Sequence, residues 1–248
     1  GTGYGPDGTI WGGEALLCSA EGFSRAYHLA PFPLPGGDKA VRNPARMALA
    51  LLYHNGVAWA PSLPPVKALS EKDRNLLRTM LDQGLGCVNT SSMGRLFDAV
   101  SALLGIRQEI SYEGQAAIEL ENLVNPNCAE AYHFELSDEQ IIWRPVLDEM
   151  LWDIRQGCGV PRMSAKFHNA LIQLCLEICD RIQQKHTGSR FPVALSGGVW
   201  QNQVLLSGVQ KKLRAHGWDV LLPRQLPFND GCIAFGQAMV ADAAIRNS

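Results

Sequence analysis

Apolar side chains recur along this chain at two spacings: the three-to-four-residue step of helices and the short continuous runs of buried strands. The best helical pattern follows Ser91 or Ser92, where Met93, Leu96, Phe97, Val100, Leu103 and Leu104 share one face. Arg95 and Asp98 project from other sectors, and Gly105 supplies a natural end. A second long stripe runs through Phe167, Ala170, Leu171, Leu174, Cys175, Ile178 and Ile182. Asn43 with Pro44 reads as the start of a helix over 45–53, because proline suits the first helical position. Ser70 caps a further helix with Leu76, Leu77, Met80 and Leu81 on its buried side. Residues 113–123 and 144–153 complete the helices of the central region, and Gly157, Gly159 and Pro161 mark a loop.

Strand signals are shorter. LLCSA and FSRAYHL read as strands within 15–34, and PFPLPGGDKA after them reads as a proline-glycine turn cluster. Residues 55–65 break helix with a glycine and prolines, and AYHFEL is the best strand within the mixed stretch 125–140. The tail then alternates. A buried strand over 191–195 meets Ser196-Gly197-Gly198 and a helix from near Asn202. A second strand over 218–222 precedes a last helix starting close to Gly231, with Phe235, Ala238, Met239 and Ala243 on its apolar side. Strand-helix-strand-helix order predicts an α/β layer whose strand ends feed a ligand cleft.

Composition narrows the class. At 248 residues, 46% hydrophobic and 19% charged, the chain is globular and fits one large domain or two modest ones, with no linker marking a boundary. Twenty-two basic against 24 acidic residues leave a charge of -2, so nucleic acid is not an expected partner. No run of 18 apolar residues predicts a membrane helix, and the first residues do not resemble a secretory signal. Seven cysteines without a CxxC pair point to a reducing, cytoplasmic setting. Cys175 and Cys179, four residues apart on one helix, read as core.

Chemistry concentrates in glycine loops. GTGYGPDGTIWGGE at 1–14 contains six glycines, a density that keeps backbone bare for close approach or for tight turns. Ile10 and Trp11 are its anchors, and Asp7 stands near any ligand it cradles or near that ligand's metal. Strand-SGG-helix at 191–202 lets a nucleotide approach backbone N–H groups, with Asn202 at the helix start; an ordinary strand-to-helix turn is the alternative. Asp230 before the last helix is either a helix cap or an anionic oxygen for a metal. Asp98 and Glu113 flank the turn after the strongest helix, as cleft residues or as local charges. The six histidines form neither HxxxH nor HExxH.

Taken together, GTGYGPDGTIWGGE, LPGGDKAVRNPARMA at 34–48, SSMGRLFDAVSALLG at 91–105, SYEGQAAIELE at 111–121, SGGVWQN at 196–202 and NDGCIAFGQ at 229–237 resemble the C-terminal part of the carbamoyltransferase family that matures nickel-iron hydrogenases. More distantly the chain is similar to the proteins that form threonylcarbamoyladenosine on tRNA. The resemblance implies an actin-like, sugar-kinase-like α/β fold, here mainly the second lobe of a two-lobed carbamoyl-transfer module spanning 1–248. It implies transfer of carbamoyl from carbamoyl adenylate, made with ATP, to the C-terminal cysteine of a maturation partner, on the way to the cyanide ligand of the NiFe site. A small-molecule O-carbamoyltransferase is the alternative.

By the same resemblance Gly1, Gly3, Gly5, Gly12 and Gly13 belong to the phosphate-side loop. Gly94, Asp98 and Glu113 border ribose and base, Gly197, Gly198 and Asn202 form the other nucleotide-facing loop, and Asp230 is a ligand of zinc or iron. The family draws two further metal ligands from a histidine-rich motif upstream of residue 1, beside zinc-finger, adenylate-forming and acylphosphatase modules. That predicts an excised piece which, alone, binds nucleotide or a partner without completing the reaction.

Overall fold

The structure is a computed structural model that describes residues 2–19, 21–186, 188 and 190–246. Its strands are β1 (Gly3–Tyr4), β2 (Ile10–Trp11), β3 (Glu14–Cys18), β4 (Phe23–Leu29), β5 (Phe32–Pro35), β6 (Cys87–Thr90), β7 (Glu135–Ser137), β8 (Gln140–Ile142), β9 (Val193–Ala194) and β10 (Val220–Leu221). They form one sheet in the order β1-β2-β6-β5, a second in the order β3-β4-β8-β7, and the parallel pair β9-β10. The two four-stranded sheets meet where β2 passes into β3 through Gly12 and Gly13. A Cβ on Gly13 would stand 2.5 Å from the Ser91 carbonyl oxygen, so only bare backbone fits the crossing.

The PFPLP segment, expected as a turn, is instead β5, an edge strand antiparallel to β6 with Phe32 and Leu34 buried. An edge tolerates prolines because one side of the strand has no partner to receive an N–H. The turn itself is confined to Gly36 and Gly37, both at positive φ (92° and 52°).

The helices are α1 (Asp38–Arg42), α2 (Pro44–His54), α3 (Pro64–Ala68), α4 (Glu71–Gln83), α5 (Met93–Leu103), α6 (Gln115–Asn122), α7 (Arg144–Arg155), α8 (Val160–Lys185), α9 (Gln203–Ala215) and α10 (Ile233–Arg246). The expected caps are made: Asn43 Oδ1 accepts from Arg46 N at 3.1 Å and Ser70 Oγ from Asp73 N at 3.1 Å. Gly114 at φ 77° delays α6 by two residues beyond the expected start, and Pro161 lies in the first turn of α8, not in a loop.

Helices α2 and α5 pack on each other at the centre of the core, with α6 covering another side of α5. Every residue from Leu96 to Leu103 is consequently buried, and Ala99, Ser101 and Ala102 are small enough to admit close neighbours. Asp98, expected on a polar sector, is therefore 1% exposed. Phe97 meets Phe167 edge-to-face at 5.0 Å and joins α5 to α8, which in turn carries α9.

Three sequence expectations fail on exposure. Leu76 is 50% exposed while its neighbour Leu77 is fully buried, because only one edge of α4 reaches the core. Strand β9 is two residues long and Phe191 before it is exposed. None of the residues of α10 is buried; Phe235, Met239 and Val240 all face outward. Among the described residues no helix is long and apolar enough to cross a membrane.

Candidate functional site

The N-terminal glycine loop is built around one arginine. Gly5 N donates to Thr9 O at 2.9 Å and Gly8 N to Gly5 O at 3.1 Å, closing the turn between β1 and β2. A Cβ on Gly5 would fall on the Trp11 indole, so that glycine is required by packing, whereas Gly3 faces open space. Arg25 on β4 stacks over Trp11 at 3.9 Å and reaches Asp7 at 3.1 Å, Glu14 at 2.9 Å and Ser91 Oγ at 3.1 Å. Glu14 in turn accepts from Gly12 N at 2.6 Å and from the Ser91 hydroxyl. Thr9 N, the Thr9 hydroxyl, the Trp11 N–H and the Arg25 guanidinium hold the Asp7 carboxyl down at about 2. Asp7 is thus an anchor of the loop. Sequence reading missed Glu14, Arg25 and Ser91. Glu14 closes the GGE motif, but nothing local to Arg25 points to residues 11 to 66 positions away.

The SGG turn lies at the end of β9. Gly197 takes φ 105°, ψ 157°, which a side chain opposes, and its N–H donates to Phe228 O at 2.8 Å. A Cβ on Gly198 would meet nothing within 4 Å. Residues Gly198–Gln201 form a 3-10 turn leading into α9. Asn202 turns inward, away from the open side. Its Oδ1 accepts from Leu205 N at 2.8 Å, capping α9, and its Nδ2 donates to His168 Nε2 at 2.9 Å. His168 Nδ1 lies 2.8 Å from Ser164 O, which assigns the proton to Nδ1, and burial pushes the imidazole below its ordinary value.

Helix α5 brings these loops together. Met93 N donates to Gly12 O at 3.2 Å at one end of the contact, and α5 also packs on the Gly198–Gln201 turn. Gly94 sits in its first turn, where a Cβ would meet only Ser92 Oγ at 3.7 Å, so no neighbour demands glycine there. Asp98 lies behind this surface, its Oδ2 2.8 Å from Arg95 Nη1 but without an aligned hydrogen bond. Burial outweighs the arginine and raises the carboxyl to about 6. Glu113 is exposed just before α6, beside a 590 Å³ depression lined by Arg107, Glu109, Ser111 and Gln115 among others. That depression includes no residue of either glycine loop. Gly1 lies outside the described residues.

Asp230 is exposed in the 3-10 turn Asp230–Cys232. The cap that sequence assigned as its alternative role belongs to Asn229, whose Oδ1 accepts from Gly231 N at 3.1 Å. Asp230 therefore presents an anionic oxygen that fits a divalent cation. Among the described residues no group of three or more His, Cys, Asp or Glu is arranged to hold a metal, and one carboxylate does not by itself make a metal site. Cys175 and Cys179 pack against the core, where burial pushes both thiols up to about 12.

Known proteins are similar to this chain in sequence and fold. Residues 1–237 match the family model described as carbamoyltransferase, Kae1-like domain, second subdomain. The chain is 38% identical to carbamoyltransferase HypF of Synechocystis sp., over 96% of this chain and 33% of that protein. It is 37% identical to a HypF homolog of Cupriavidus necator, over 97% of this chain and 63% of the relative. Among solved structures it superposes on full-length HypF in the phosphate- and nucleotide-bound form with a TM-score of 0.91 at 36% identity, covering 99% of this chain and 32% of that one. For HypF of T. kodakarensis the TM-score is 0.80 at 26% identity, over 100% of this chain and 33% of that one. The chain thus spans about a third of the length of most of these relatives. With the family model matched over residues 1–237 and the α/β fold shared over nearly the whole length, the chain belongs to the HypF-type carbamoyltransferase family, as the second subdomain of the Kae1-like domain.

Proposed function

We propose that this chain is the nucleotide-binding part of a carbamoyl-transfer module, with one face of the nucleotide at the SGG turn and its phosphates toward the N-terminal glycine loop. The observation that carries the reading is the bare end of β9: a left-handed Gly197 followed by Gly198 with open space before it. In the complete protein the acceptor is the C-terminal cysteine thiol of a hydrogenase maturation partner, as the family's role implies. Its sulfur attacks the carbamoyl carbon of carbamoyl adenylate and the carbon–oxygen bond to phosphate breaks. AMP departs with the electron pair, and the thiol proton passes to solvent, leaving a thiocarboxamide for later dehydration to the nitrile that becomes cyanide.

Within that reaction this chain binds and orients. Gly3, Gly5, Gly12 and Gly13 give the phosphate-side loop its close backbone, and Gly94 and Glu113 stand on the ribose and base side. Asp98 and Asn202 act from behind this surface, one beneath α5 and one beneath the SGG turn. Asp230 supplies one oxygen to a zinc or iron ion, which when bound would polarise a carbonyl or phosphoryl oxygen. The cytoplasm is the matching compartment.

Titration of ATP and AMP into this chain by calorimetry, alongside thermal unfolding, tests the nucleotide assignment. Gly198→Val is expected to weaken binding about tenfold or more, ~1.4 kcal/mol, while the unfolding midpoint stays close to that of the parent. Unchanged affinity in the folded variant refutes the site.

A further inference from the structure

We infer that Glu121 is a positioning residue of the proposed nucleotide site: its carboxylate, from the last turn of α6, holds the first turn of α9 and with it the Gly197–Gly198 turn. This rests on the nucleotide reading above, but the contacts behind it do not. A helix starts with N–H groups that lack intrahelical acceptors. In α9, Leu205 N is taken by Asn202 Oδ1 at 2.8 Å, while Glu121 Oε1 accepts from Gln203 N at 2.6 Å and from Val204 N at 3.1 Å. The acceptor is 82 and 83 residues away in sequence, so this is a tertiary clamp and not a local cap. A carboxylate at a helix N-terminus also meets the positive end of the helix dipole, which strengthens the hold.

Helix α6 is well placed to act as a strut. Ala116 and Leu120 are fully buried, and Ser164 Oγ donates to Leu120 O at 2.7 Å, pinning the end of α6 that carries Glu121 to α8. Its other end follows Glu113, so one eight-residue helix separates the exposed carboxylate on the ribose side from the one that fixes the SGG side. Because Glu121 already occupies the start of α9, an incoming phosphate finds no free N–H groups on Gln203 and Val204.

Four versions of this chain test the inference: the parent, Glu121→Ala, Glu121→Gln and Glu121→Met. Amide exchange is read by mass spectrometry over residues 195–206, with AMP affinity by calorimetry, each with and without added acetate. Glu121→Ala is expected to exchange about tenfold faster across the SGG turn and the first turn of α9, and to bind AMP several-fold more weakly, with α5 and α8 unchanged. Glu121→Gln, which keeps an acceptor oxygen, falls between it and the parent. Acetate entering the vacated space restores slow exchange and affinity in Glu121→Ala but not in Glu121→Met, where the side chain fills the space without an acceptor. Parental exchange in Glu121→Ala, or no recovery with acetate, overturns the inference. If Glu121→Ala loosens the whole fold, Glu121→Gln decides: parental exchange at Gln203 and Val204 overturns the clamp and faster exchange there supports it. A parent chain that binds no AMP defeats the nucleotide reading, while the exchange data still decide the role of Glu121.

Discussion

Asp98→Asn separates the electrostatics of α5 from its packing. The carboxyl is 1% exposed, Arg95 stands beside it at 2.8 Å, and its folded value is about 6 against 3.8 for a free aspartate. At about 1.4 kcal/mol for each tenfold, that displacement means holding the ionised group in place costs roughly 3 kcal/mol of stability above pH 6. The sign follows from proton binding. Between about pH 4 and pH 6 the folded chain binds the proton more tightly than the unfolded one, so this carboxyl's stabilising contribution is complete below about 4 and is lost as pH rises through 6. Asparagine keeps the shape and removes the charge. Part of the gain is returned because Arg95 then loses its anionic neighbour and keeps the Val41 carbonyl at 3.3 Å. Urea unfolding of parent and variant from pH 4 to 8 is the assay. The variant is expected to be about 1–2 kcal/mol more stable at pH 7.5, with the difference shrinking to nothing or reversing near pH 4. A pH-independent difference, or a variant clearly less stable at pH 7.5, is incompatible with a buried charge that opposes folding.

Gly13→Ala places a methyl 2.5 Å from the Ser91 carbonyl and is expected to lose about 1–3 kcal/mol, whereas Gly198→Ala, with open space and no φ penalty, stays within about 0.5 kcal/mol of the parent; denaturant titration of both checks the contrast. His168 is held below its ordinary value of 6.5, so it binds protons less readily when folded, and stability should fall as pH drops below about 6.5. In His168→Phe that acid loss should vanish, at a constant expense of about 1–3 kcal/mol from the unpaired Asn202 and Ser164 groups, which urea unfolding across the same pH range would show. A chain ending at Cys232 loses no buried residue among those described and should keep its unfolding free energy within about 0.5 kcal/mol while aggregating less, as light scattering would show.

What the sequence disclosed were features carried by neighbouring residues. The caps at Asn43, Ser70 and Ser92, the stripe of α5 and the strands β3 and β4 each follow from a few adjacent side chains. PFPLP misleads because prolines mark turns and sheet edges alike, and only pairing with β6 decides between them. The burial of Asp98 is invisible in sequence since it depends on α2 and α6 both packing on α5. The glycines of the candidate site are legible; the groups that hold them are not. Arg25, Glu14 and Ser91 meet across sheets, and Glu121 reaches α9 from another helix, with no local pattern announcing either contact.

The decisive measurement for the proposed carbamoyl transfer through the proposed nucleotide site is intact-mass analysis of a maturation partner. The complete protein bearing this segment is incubated with ATP, carbamoyl phosphate and a partner ending in cysteine, with the parental segment or with Gly198→Val. A carbamoyl-sized mass increase on the terminal cysteine is expected with the parent, and its near disappearance with the folded variant. Full modification by a folded Gly198→Val protein, or an unmodified cysteine where the parental protein makes adenylate, would contradict the proposed site and reaction.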